Sequence, residues 1–166
     1  MAGINQIEFD QIFEEWYNPV RNFIYYKTGD LQIAEDITQD AFLKIWEKRE
    51  SIKIQTVKSL LYKIANNMFL NRQEHKKVLF KFINDYQINE FSTAPDYELE
   101  MKEFDKRLQL TLAGLDEKNR IVFLMNRIDD LTYNEIAQNL GLSVKAVEKR
   151  MGKALSFLKE KLDVKI

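Results

Sequence analysis

Lys145, Lys149 and Lys153 recur every four residues, with Arg150 beside them and Glu148 at their edge. On a helix that spacing gathers the side chains on one face. Lysine and arginine pair with the major-groove edge of guanine, and glutamate accepts from the amino group of cytosine, so the chemistry on offer is base reading. Val144, Val147, Met151, Ala154, Leu155 and Leu158 fall on the opposite face and would anchor the helix in its own domain. Ser143 suits the N-cap of this helix, and Gly141 the left-handed residue of the turn before it. Thr132 and Glu135 have the spacing of a capping box at the start of a short preceding helix. The whole has the form of a helix-turn-helix with its second helix presented to DNA. A solvated basic face would explain the cations alone, but not the turn and its caps. Gly152, on the same outward face, suits close approach to a phosphate or partner, or is simply unselected.

Two further groups of residues point to contact. In a helix expected over 33–48, Asp36, Gln39, Asp40 and Glu47 face outward around Leu43, with Phe42 and Trp46 to one side. An acidic face with an apolar centre complements a basic protein surface with an apolar pocket; a solvated face with one stray leucine is the alternative. In a helix expected over 57–77, Ser59, Tyr62, Lys63, Asn66, Leu70 and Gln73 face outward, with the basic run from Arg72 to Lys81 behind them. Amides and an aromatic beside cations suit unpaired bases, as does, equally, an ordinary polar surface.

The elements that must position these groups are helices. Among 166 residues there are 5 Gly and 2 Pro, too few for many hairpins or a phosphate-cradling loop, and 45% of the chain is hydrophobic. The fold class expected is all-α, as two small helical domains joined by a flexible linker. Apolar periodicity predicts helices over 9–26, 33–48 and 57–77, then 96–114, 117–127, 132–139 and 143–162, with a loop at 50–56. The buried stripe of the second is Ala34, Ile37, Ala41 and Ile45; that of the third is Val57, Leu60, Leu61, Ile64 and Met68. Periodicity is lost over 78–95. The net charge of −1 conceals two basic segments, 58–81 and 143–162, and an acidic one, 84–105. With no Cys and one His, His75, there is no disulfide framework, thiolate zinc site or site built on two imidazoles. No bilayer-spanning run or secretory leader is evident, so a soluble cytoplasmic protein is expected.

Taken in order, three segments resemble the extracytoplasmic-function (ECF) group of bacterial RNA polymerase sigma factors: residues 34–46 (AEDITQDAFLKIW), 61–67 (LYKIANN) and 115–162. The tail is similar in style to members from the Bacteroidetes. The resemblance spans nearly the whole chain apart from the linker. It implies a transcription initiation factor with a region 2 domain at 1–79, a linker at 80–95 and a region 4 domain at 96–166. Asp36, Gln39, Asp40 and Leu43 would dock on the clamp helices of the largest polymerase subunit. Lys63, Asn66, Asn67 and Leu70, with the loop 51–56, would engage and help open the minus-ten element. Ser143, Lys145, Glu148, Lys149, Arg150 and Lys153 would read the minus-thirty-five element, and the acidic linker would thread the RNA exit channel. The partners implied are core RNA polymerase, promoter DNA and an anti-sigma protein. The free chain would be a monomer with no cofactor, metal, catalytic residue or membrane insertion. A stand-alone helix-turn-helix regulator is the main rival and leaves the 36–46 face unexplained; a helical adaptor for acidic proteins is another. An enzyme is disfavoured, since no nucleophile with a base, Gly-rich loop or carboxylate-histidine cluster is visible.

Overall fold

The computed structural model describes residues 3–72 and 106–162, and among these every regular element is helical. Helix α1 (Gln6–Thr28) starts at a capping box: the Asn5 side chain accepts from the Glu8 amide, and the Glu8 carboxylate accepts from the Asn5 amide. It runs through Pro19 and ends at Gly29. The Asp30 carboxylate then accepts from the amides of Gln32 and Ile33 to open α2 (Leu31–Glu47). Two 3-10 turns, Arg49–Ser51 and Ile54–Thr56, fill the segment expected as a loop and lead into α3 (Val57–Asn71). Residues 106–114 are helical (α4), followed by α5 (Glu117–Arg127), α6 (Tyr133–Leu140) and α7 (Val144–Leu162). The end of the predicted third helix, the linker 80–95, Gln73 and the start of the predicted 96–114 helix lie outside the described residues.

The stripe predicted for α2 is wholly buried, sharing a core with Val20 and Ile24 of α1 and Leu61 and Ala65 of α3. Ile121, Val122 and Met125 of α5, Ile136 of α6 and Val147, Met151 and Leu158 of α7 bury the apolar sides of the C-terminal helices. The two halves meet: α1 packs on α5, and α3 packs on α6.

That meeting explains the main differences from the sequence reading. Tyr62, expected outward, is 3% exposed, because the C-terminal helices cover its side of α3; its ring lies edge-on to Phe23 with centroids 5.3 Å apart. The buried residues of α3 are therefore Val57, Leu61, Tyr62, Ala65 and Phe69, while Leu60, Ile64 and Met68 are half-buried. Phe42 is buried among Phe9, Phe13 and Tyr17 of α1 rather than flanking an exposed face. Val144, expected inward, is exposed: it is the first residue of α7, ahead of Val147, the first one fully covered.

The turn between α6 and α7 follows the expected chemistry. Thr132 and Glu135 close the capping box, and Gly141 is left-handed at φ 65°. The Leu142 amide reaches back to the Ala137 carbonyl at 2.9 Å, which satisfies a carbonyl that the helix end leaves open. No neighbouring atom stands near the position of a Cβ on Gly141, so a side chain there would be opposed by backbone conformation alone. Gly141→Ala should therefore lower the unfolding free energy by about 1 to 2 kcal/mol, read as a lower urea midpoint with unchanged m-value; an unchanged midpoint would mean that the turn relaxes without cost.

Candidate nucleic-acid and polymerase interfaces

Helix α2 has two sharply different sides. Opposite its buried stripe, Asp36, Gln39, Asp40 and Glu47 are all exposed, and Leu43 stands among them at 55% exposure. The carboxylates are only loosely engaged: Gln32 donates to Asp36 at 3.2 Å, and Arg72 lies 3.6 Å from Asp40. Close by, the Phe9 ring meets Trp46 at a 60° tilt, and the Arg49 guanidinium sits 4.0 Å from the Trp46 ring centre. The arrangement offers an apolar knob within a negative surface, which suits a basic partner with a matching pocket.

On α3, the structure brings Lys63, Asn66 and Leu70 together along one wall of a cleft of about 740 Å³. Asn67 is exposed one position round the helix, outside the lining of that cleft. The loop ahead of α3 is pinned from the N-terminus. Ile4 is buried and donates to the Arg49 carbonyl at 2.9 Å, and a Cβ on Gly3 would collide with the backbone of Glu50.

The far wall of the cleft belongs to the helix-turn-helix, through Gln138, Asn139, Gly141, Leu142 and Arg150. On α7, Lys145, Glu148, Lys149 and Lys153 are exposed together, as the spacing predicts, whereas Arg150 is half-buried and turned to the cleft. Ser143 is exposed, and its hydroxyl accepts from the Ala146 amide at 3.1 Å, so it caps α7. Gly152 is exposed with open space around it, leaving the backbone accessible from that side.

Between the halves lies a polar junction. Arg120 is 4% exposed and donates from Nε to the Tyr26 carbonyl and from Nη1 to the Leu115 carbonyl, both at 3.0 Å. Tyr26 is in the last turn of α1, where carbonyls look beyond their own helix and a cation is favoured. Burial lowers the pKa of Arg120, with Glu117 and Asp116 opposing that effect. Lys27 is buried as well, with its ammonium 3.0 Å from Glu117. One Asp129 oxygen accepts from Asn22 Nδ2 and from the Tyr26 hydroxyl, each at 2.8 Å. Burial raises the pKa of Asp129, and those two hydrogen bonds pull it back. Asn139 Nδ2 donates to the Tyr62 hydroxyl at 3.3 Å, and burial together with Asp129 keeps that phenol protonated well beyond neutral pH.

Of these junction residues the sequence reading named only Tyr62, and placed it outward. Each is a polar residue of ordinary type, and nothing in the local pattern says that its partner is another helix rather than water. Among the described residues no group of His, Cys, Asp and Glu could hold a metal ion, and no helix is long and apolar enough to cross a membrane.

Comparisons with known proteins bear on both halves. A family model described as Sigma-70 region 2 matches residues 12–77, and one described as Sigma-70, region 4 matches residues 105–158. The chain is 26% identical over 151 residues to the ferric citrate uptake sigma factor FecI of Escherichia coli strain K12, covering 90% of this chain and 87% of that one. It is 25% identical over 169 residues to the ECF RNA polymerase sigma factor SigW of Bacillus subtilis strain 168, covering 95% and 90%. Among solved structures, that of CnrH in complex with the cytosolic domain of CnrY matches with a TM-score of 0.63 and 26% identity, over 96% of this chain and 90% of that one.

Proposed function

Since the chain belongs to the ECF group of the sigma-70 family, and is thus a transcription initiation factor that binds RNA polymerase and directs it to promoters, we propose that it divides that work between two domains, 1–79 and 96–166, joined by 80–95. The first docks on core polymerase through Asp36, Gln39, Asp40 and Leu43. It then engages the minus-ten element through Lys63, Asn66, Asn67 and Leu70. The second reads the minus-thirty-five element through Lys145, Glu148, Lys149, Arg150 and Lys153, with Ser143 ordering the start of the reading helix. The observation that carries this reading is the exposure of Leu43 on a helix whose opposite face is fully buried. An apolar side chain held out within an acidic surface gains most from a partner that desolvates it.

The chain acts in this reading by binding rather than by covalent chemistry, in the cytoplasm where polymerase and promoters are found. Since CnrH was solved with the cytosolic domain of CnrY, an anti-sigma partner is part of the proposal. A helix-turn-helix regulator working alone would make no use of the α2 face.

Reconstitution tests the docking step. Wild-type chain added to core polymerase should yield transcripts from a subset of a promoter library. Leu43→Glu combined with Gln39→Ala should weaken core binding by about 2 kcal/mol or more while leaving the circular dichroism spectrum unchanged. Unaltered affinity for core would place the docking face elsewhere.

Promoter selection tests the division of labour. Lys149→Ala and Arg150→Ala should each relax base choice in the upstream element, by about 1 to 3 kcal/mol per lost contact, and leave minus-ten choice as it was. Equal loss on all upstream sequences would make these residues phosphate contacts. Loss of minus-ten choice would contradict separate readers.

A further inference from the structure

Gly3 and Ile4 lie along the turn that leads into the loop 51–56, at backbone contact. Ile4 is buried in the core, and its amide donates to the Arg49 carbonyl at 2.9 Å. One residue earlier, a Cβ on Gly3 would stand 2.6 Å from the Arg49 oxygen and 2.7 Å from the Glu50 carbonyl carbon, and closer still to the Glu50 Cα. Carbon atoms in contact stand about 3.5 to 4.0 Å apart, so a side chain here would drive the two backbones apart by roughly 1 Å. Glycine is the residue that permits such an approach.

Both partners of this contact are fixed elsewhere. Asn5 and Glu8 close the capping box of α1, and Ile4 and Phe9 occupy the N′ and N4 positions of a hydrophobic staple, which sets the angle at which a chain enters its helix. On the other side, Arg49 Nη1 donates to the Trp46 carbonyl at 2.9 Å, and its guanidinium lies over the Trp46 ring. The loop has little of its own to fix its shape. Its two 3-10 turns, Arg49–Ser51 and Ile54–Thr56, both start without a side-chain cap, and single turns of this kind have poor hydrogen-bond geometry. The Arg49 carbonyl that receives the Ile4 amide also receives the Ile52 amide at 3.3 Å, so the N-terminal contact falls on the atom that closes the first turn. Beyond it, between buried Ile52 and Val57, residues Lys53, Ile54, Gln55 and Thr56 are all exposed, and Thr56 lines the same cleft as Lys63, Asn66 and Leu70.

We propose that Gly3 and Ile4 are positioning residues for minus-ten recognition, a strap across the Arg49–Ser51 turn that sets where the tip 53–56 stands beside Lys63, Asn66 and Leu70. This rests on the assignment of the minus-ten face made above, with the loop included in it. The strap itself touches no DNA. Unpaired bases are held by stacking while cations track the backbone, and choice among bases then depends on the shape of the surface that receives them. A shifted loop therefore loses selectivity before it loses the fold.

Two measurements on the full chain test this. In the free protein, the Ile52 and Thr56 amides, which close the two turns, should exchange with solvent several-fold faster in Gly3→Ala and in Ile4→Ala than in wild type. In reconstituted holoenzyme, scored on a promoter library randomised at both elements, each variant should reduce minus-ten base preference by about fivefold or more, the lower end of what one stacked base is worth. Core affinity and upstream preference should stay as in wild type, and Ile4→Val should keep most of the minus-ten preference. Gly3→Ala removes no core side chain, and covers the case in which Ile4→Ala fails to fold.

Equal loss of transcription on every minus-ten sequence would make the strap a stabilising contact only and overturn the proposal. Unchanged amide exchange in Gly3→Ala would overturn it as well. Lys53→Ala combined with Gln55→Ala separates the strap from the reading on which it rests. If that pair shifts minus-ten preference while Gly3→Ala does not, the loop is a reader and the positioning role falls; if the pair leaves the preference intact, the loop is no part of the reader, and both fall.

Discussion

A guanidinium taken out of water must be met by acceptors wherever the chain puts it, and the burial of Arg120 sets that requirement at the centre of this molecule. Its two acceptors are the Tyr26 carbonyl, near the end of α1, and the Leu115 carbonyl, just ahead of α5. One side chain thus fixes where the N-terminal helices meet the C-terminal ones. Lys27 with Glu117 and Asn22 and Tyr26 with Asp129 satisfy the surrounding charge by the same logic. Buried ion pairs of this kind contribute little net stability, because desolvation offsets attraction. What they contribute here is a defined placement of the N-terminal helices against the C-terminal ones.

The same economy of surfaces recurs on each helix. In α2, the face that packs the core and the face proposed to meet a partner are opposite sides of one cylinder. Ala34, Ile37, Ala41 and Ile45 must therefore stay apolar while Asp36, Gln39 and Asp40 stay wet. Helix α3 has less freedom. Its buried stripe serves α2, Tyr62 serves the C-terminal half, and Lys63, Asn66 and Leu70 line the cleft. In α7, the buried side lies against α5 and α6, and the lysines occupy the other. The near-zero net charge conceals this partition, with cations gathered on the surfaces proposed to meet DNA, and acids in 84–105 and on the α2 face proposed to meet polymerase.

What could be read from the sequence is what depends on neighbours along the chain. Periodicity gives the helices, and α5 falls at 117–127 in both sequence and structure. Thr132, Glu135, Gly141 and Ser143 act at short range, so their roles in capping and turning were legible. The outward faces of α2 and α7 were legible for the same reason. Tyr62 was misplaced because its face of α3 is polar in sequence and buried only by helices far along the chain. Arg120 and Asp129 were missed because a lone charge carries no sign of its distant partner. Sequence pattern distinguishes wet from dry within one helix, and it has no access to which helices close over one another.

The central claim is that two halves packed together in this structure serve, as proposed, two separate promoter elements when the chain is at work. The chain has no cysteine, so dyes on Glu47→Cys and Lys159→Cys, both exposed and remote from the junction, report the distance between the domains. Single-molecule energy transfer should be high and narrowly distributed in the free chain. It should fall close to zero when core polymerase and promoter DNA are both added. The same high transfer in the free chain and in the transcribing complex would contradict the account.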